Sequence, residues 1–359
     1  MMTYELYWEY VGEDEARLLR VYGTTPSVML PEQIEGHRLT EIGAYCFAER
    51  AHLPEQYERT IIVIGDSSEE YISSEGIFSV RDIDRDKKEP RELLDETQMT
   101  SEETMRELAG KYIKEVTLPD SVKKIGNLAF YHCMSLEQMQ LGSGLVEIGS
   151  DAFMNCSRLR KMTLRGGCRK ASGMRQILAQ ISSDMEVTFV GETGVEAVLL
   201  FPEFYESYDE IAPAHLFGRN IEGEGFRARQ CFKDGVMDFR QYDTIFQKAC
   251  AEESEKTLCR LAYDRLCYPI DLGKNERELY EDYIHAHTGY VCTAAVKRRD
   301  MEQVRILCEL GLLEKADMEH CIQWAAESDW AEGSAYFLRL KDQYFSTKKA
   351  EDRYAFDDF

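Results

Sequence analysis

Three sets of side chains in this 359-residue chain are spaced so that they could do chemistry. The first is Asp82, Asp84 and Asp86, the alternation by which calcium loops present oxygens to one ion. A calcium loop also needs a glycine at its sixth position and a glutamate at its twelfth. Neither is here, and Arg85, Lys87 and Lys88 crowd the carboxylates, so the run predicts no metal site. The second set is His285 and His287. Residues two apart on a helix point to different faces, which predicts a solvated pair. The third is the eleven cysteines, which contain no CxxC pair. They read as buried free thiols of a reducing compartment. Cys133 and Cys156 recur at one fixed offset, as fillers of one repeated niche. The chain has no GxSxG, HExxH, P-loop or GxGxxG pattern. The glycines around "GRNIEGEGFR" lack the strand-to-helix context of a phosphate loop. No catalytic residue, metal ligand or cofactor is predicted.

Charge narrows the partners. A formal net charge of −23 works against nucleic acid and against anionic membrane surfaces, both of which need clustered Lys and Arg. It favours solubility and cationic partners. With 44% hydrophobic and 11% aromatic residues, the chain is globular rather than disordered. No run of apolar residues is long enough to span a membrane. The first residues, "MMTYELYWEYVGEDEARLLR", have no basic and apolar leader pattern. The expected location is therefore the cytoplasm, or the cell surface if a signal was removed.

The elements that must position any surface come from a repeat. Between Ile113 and Leu164 the sequence falls on itself at an offset of 23 residues: Leu118 on Leu141, Ile125 on Ile148, Gly126 on Gly149, Phe130 on Phe153, Cys133 on Cys156. Such a period predicts stacked units, each too small to bury its own apolar face. Leu136, Met139 and Leu141 alternate with polar residues, as do Leu159, Met162 and Leu164, which predicts short strands. The phenylalanines lie on a turn covering the other side of the core. Residues 30–47 carry a degenerate copy, Leu30-Pro31 and Ile42-Gly43 with Phe47, in which extra residues fall in the turn around Gly36 and Arg50 stands in place of cysteine. "YELYWEYV" and "ARLLRVYG" predict a hairpin, and "TIIVIG", "MEVTFVG" and "EAVLLFP" further strands. Residues 51–112 interrupt the pattern as a charged insertion, in which Ser101 starts a short helix through Leu108.

Beyond residue 200, "FPEFYESYDEIAPAHLFGRNIEGEGFRARQCF" reads as a packed connection, because so many aromatics would be costly to leave in water. From Tyr242 the period is helical, with stops at Pro269 and Gly311.

The units "LPDSVKKIGNLAFYHCMSL" and "LGSGLVEIGSDAFMNCSRL" resemble the BspA-like type of leucine-rich repeat. The second copy departs from the pattern, with Gly142 in place of proline. The resemblance implies a solenoid and an interaction role, cell-surface adhesion included. "AAVKRRDMEQVRILCELGL" is similar to the second half of an ankyrin repeat, without the Thr-Pro-Leu-His start. The expected fold is an α/β solenoid: a short leucine-rich repeat domain followed by an all-α domain of helical-hairpin repeats. The boundaries are 1–195 for the repeat domain with its insertion at 51–112, 196–240 for an aromatic connector, 241–346 for the helical repeats and 347–359 for a polar tail.

The functional expectation is a non-enzymatic interaction or scaffold protein with an unidentified protein partner. The alternatives are an adhesin-type surface module and an enzyme with its site at the domain junction, around Phe201–Phe232. The outward strand positions Glu115, Thr117, Gln138, Gln140, Lys161 and Thr163 should form two columns on one sheet face and are the candidate contacts.

Overall fold

A computed structural model describes residues 2–49, 53–64, 69–73, 78–79, 105–211 and 216–345. The Asp82–Asp86 run, residues 101–104 and the tail from residue 346 lie outside it. The chain divides into two compact units, Met1–Ile245 and Phe246–Phe359.

Two parallel ladders run through the first unit, as a 23-residue repeat of two strands and a turn requires. In one, Ser27–Met29, Glu115–Thr117, Gln138–Leu141, Lys161–Arg165 and Met185–Gly191 pair side by side, and the antiparallel strand Gly194–Phe201 follows. In the other, His37–Ile42, Lys124–Ile125 and Glu147–Ile148 pair in the same order. The pairing Gln138↔Lys161 and Ile125↔Ile148 is the sequence offset made physical. Each turn of chain is one rung, and rungs lie about 4.8 Å apart. This is the predicted solenoid.

The repeated side chains fill the space between the ladders. Phe47, Phe130 and Phe153 are buried and stack nearly parallel, with centroids 4.8 and 5.2 Å apart. The Cys133 thiol donates to the Phe47 carbonyl and the Cys156 thiol to that of Phe130, each at 3.2 Å. The cysteines therefore satisfy a buried carbonyl of the preceding rung as well as filling a niche.

The glycine column has a steric cause. A Cβ on Gly126 would come within 2.6 Å of Ala44 N, and one on Gly149 within 2.4 Å of Asn127 N. Gly43 meets Leu18 O at 2.8 Å in the same way. A side chain at any of these positions would force the rungs apart. Gly142, where proline was expected, is just as constrained: its Cβ would sit 2.1 Å from Pro119 O.

At the N-terminal end the second ladder runs into a mixed sheet. Met2–Tyr10 and Glu15–Gly23 form the predicted hairpin, and Gln56–Ile64 pairs with Met2–Tyr10. The extra residues around Gly36 are a tight hairpin of Gln33–Ile34 with His37–Ile42. Its corners Glu35 and Gly36 both take positive φ, as a two-residue loop requires. One expectation fails: the segment before Leu108 is not helical where it is described. Arg106–Glu107 is a short strand paired antiparallel to Tyr22 and Gly23. Pairing with a distant strand overrides the local helical preference.

After the last parallel rung, Tyr205–Ile211 and Leu216–Glu222 form a hairpin that pairs with no other strand among the described residues. Phe201, Phe204 and Phe232 are buried as expected, but Tyr205 and Tyr208 are 61% and 62% exposed. Two aromatics of the expected packed connection are wet; three apart on one strand they point to opposite faces, and the ribbon is uncovered at both.

The second unit holds seven helices among its described residues, from Phe246–Glu252 to Ala331–Phe345. Glu255–Cys267 packs on Lys274–Ala286, and Lys315–Glu327 on Ala331–Phe345. The apolar faces meet inside: Leu258, Tyr280, Ile284, Val304, Leu307, Met318 and Phe337 are buried. Ser254 and Asp300 cap their helices by accepting from the backbone N–H groups of Thr257 and Gln303. Between the expected stops at Pro269 and Gly311 the helical run is also broken at His287, which ends one helix and precedes the next, with its ring stacked on Tyr283. His285 is exposed. The two histidines do not converge, and no group of three or more metal-binding side chains occurs among the described residues.

Two outcomes follow. Gly149→Ala should lower the urea unfolding free energy by about 1–3 kcal/mol through overpacking. Gly12→Ala, with nothing within 4 Å of the new Cβ, should change it by less than about 0.5 kcal/mol. Equal values would exclude close rung approach as the reason for the glycine column. The thiols give a second test. Burial pushes the Cys231, Cys259 and Cys308 thiols up to about 12. Ten of the eleven cysteines are buried or half-buried, and Cys250 alone is exposed. At about pH 8 a disulfide reagent should label Cys250 first and Cys267 more slowly, with the buried thiols reacting only on unfolding. Rapid labelling of Cys133 or Cys156 in the native protein would contradict the buried carbonyl contacts.

Candidate interaction surface

The six outward strand residues stand where the strand period puts them. Glu115, Gln138 and Lys161 form one column by register, and Thr117, Gln140 and Thr163 the next. Met139 and Met162 are buried between the columns, so the polar side chains face away from the core. Both columns extend past the six. Ser27 and Glu186 continue the first, and Met29 and Thr188 the second. Glu115, Gln138, Gln140 and Lys161 are exposed; Thr117 and Thr163 are half-buried.

The first column is tied over its first three rungs. Ser27 Oγ donates to Glu115 Oε2 at 3.3 Å, and Gln138 Nε2 donates to Glu115 Oε1. At the C-terminal end of the strands, Arg165 reaches back across two rungs, donating to Leu118 O at 2.5 Å and Asp120 Oδ1 at 3.1 Å. Ser27, Glu115, Gln138 and Arg165 are held by these hydrogen bonds before any partner arrives, so these side chains have little freedom left to lose on binding.

At the opposite, N-terminal end of the same strands lies a groove of about 420 Å³, lined by Glu137, Gln138, Arg158, Arg160 and Lys161. Two of these, Gln138 and Lys161, belong to the candidate set. The other three were missed, although the run Arg158-Leu159-Arg160-Lys161 is conspicuous in so acidic a chain. Arg160 Nη1 donates to Leu159 O and to Ser183 Oγ, each at 2.9 Å. Among the described residues none of the three cations forms an ion pair with a carboxylate.

The stretch Phe201–Phe232, the candidate for an enzymatic site, is organised around Arg229. Its guanidinium donates to the carbonyls of Ile181, Ser183, Pro202 and Gly225 and lies over the Phe204 ring at 5.0 Å from the centroid. Burial pulls its pKa down to about 10, which leaves it charged at neutral pH. Those bonds satisfy loop carbonyls at the last rungs, which is a structural use of the cation. His215, the histidine of this stretch, lies outside the described residues.

No helix among the described residues is long and apolar enough to cross a membrane. No curated protein and no solved structure matches the chain. Residues 107–174 match the family model described as BspA type leucine rich repeat region (6 copies). The match includes Gly126, Phe130 and Cys133 and Gly149, Phe153 and Cys156 of the columns described above. Over residues 107–174, this chain is a leucine-rich repeat region of the BspA type.

Proposed function

We propose that the protein is a non-enzymatic interaction or scaffold protein that binds a protein partner through the strand face of its repeat. The observation that carries this reading is the pair of polar columns Glu115–Gln138–Lys161 and Thr117–Gln140–Thr163, fixed in register on one sheet face. Repeat architectures use such surfaces because adjacent rungs supply contacts at a fixed pitch without a catalytic pocket. The match to a leucine-rich repeat model supports the same role. In this reading residues 1–195 carry the binding face, 196–240 connect, and the helical repeats at 241–346 present a second surface for assembly.

The test is a comparison of baits in an extract of the native host. A partner captured reproducibly by the wild-type chain should fall about ten-fold on Gln140→Arg, which places bulk and charge in the middle of the face. Circular dichroism and the urea midpoint should stay those of wild type, since Gln140 is exposed. Equal capture by the variant, or no reproducible partner at all, would exclude the strand face as the binding surface.

A further inference from the structure

We infer that the groove at the N-terminal edge of the strand face binds an acidic peptide segment of the protein partner. This refines the interaction reading above and rests on it.

The first ground is charge. The chain has 66 acidic and 43 basic residues, so an average surface cation has carboxylates near it. In the same unit Arg17, Arg20, Arg59, Arg165, Arg219 and Arg227 each form an ion pair with an Asp or Glu. Arg158, Arg160 and Lys161 do not among the described residues, yet they converge on one groove with a single carboxylate, Glu137. Three unpaired cations held together repel one another, and bound carboxylates would relieve that repulsion.

Shape is the second ground. The groove is open to solvent and its volume of about 420 Å³ suits a few side chains rather than a whole domain. It continues into the polar columns at Gln138 and Lys161, so a chain lying along the face would pass through it. Arg160 is steadied by Ser183 Oγ and Leu159 O, which leaves the rest of its donor fork for a carboxylate.

The wider field selects the length of the acidic segment. At physiological salt charges interact over about 8 Å. A few carboxylates can sit among three cations within that range. A long polyanion such as nucleic acid would extend over the rest of a surface carrying a net charge of −23 and be repelled. The partner chemistry is therefore a short Glu- or Asp-rich segment, with the remainder of the partner on the polar columns beside it.

Fluorescence anisotropy on the purified full chain tests this directly. The probes are a labelled peptide of about twelve residues alternating Glu and Ser and its Gln–Ser counterpart. The acidic peptide should bind and the Gln–Ser peptide should not. Affinity should fall about ten-fold between about 50 and 300 mM salt. It should also fall about ten-fold in Arg158→Ser/Lys161→Ser, whose fold is checked by circular dichroism. Equal binding of the two peptides, or full binding by the double variant, would overturn the proposal. Inorganic tripolyphosphate competing as well as the peptide would also overturn it, by making the groove a general anion site.

The same double variant used as bait separates this inference from the reading beneath it. Loss of the partner on both Arg158→Ser/Lys161→Ser and Gln140→Arg supports both. Capture retained by the double variant but lost on Gln140→Arg sinks the groove and leaves the strand face standing. Capture retained by both variants sinks the strand-face reading, and the groove proposal falls with it.

Discussion

The first unit depends on how closely one rung can approach the next. Gly43, Gly126 and Gly149 let each rung's backbone come within 3 Å of where a side chain would otherwise stand. That approach brings both parallel ladders into hydrogen-bonding reach at once. It also fixes the spacing at which Phe47, Phe130 and Phe153 stack and at which the Cys133 and Cys156 thiols meet the carbonyls of the preceding phenylalanines. The polar columns outside inherit the same pitch. One backbone constraint therefore sets both the core and the surface.

That constraint also explains why the middle of the chain was readable. Each column imposes one residue type at one offset, and the imprint survives in the sequence as the echo between Ile113 and Leu164. The strand faces followed from alternation alone. What escaped has no local period. Arg106 and Glu107 are strand because Tyr22 and Gly23 are beside them, more than eighty residues away in the chain. The break at His287 divides a stretch whose apolar spacing is helical on both sides. Tyr205 and Tyr208 look like core by residue type and are exposed because their ribbon has no covering layer.

The basic groove is legible in hindsight and only in part. "RLRK" is a plain feature of an acidic sequence, but sequence does not say which carboxylates will sit nearby. Arg158, Arg160 and Lys161 matter because the fold lines their groove with one carboxylate, Glu137, and gives Arg160 a neutral partner in Ser183. Arg165, on the same strand as Lys161, takes the opposite course and pairs with Asp120. Charge on this strand is thus divided between holding rungs together at one end and standing free at the other.

The common register of the two ladders has an evolutionary consequence. Gln138 pairs with Lys161 in one ladder and Ile125 with Ile148 in the other at the same offset. Inserting or deleting a whole 23-residue unit preserves both pairings, and the longer spacing of Lys161 to Glu186 shows that extra residues are absorbed in the turns between strands. The outer face can therefore grow or shrink only in whole steps of about 4.8 Å. Recombination between copies supplies such steps directly, so the reach of this surface is quantised and can change without any residue of the core being redesigned.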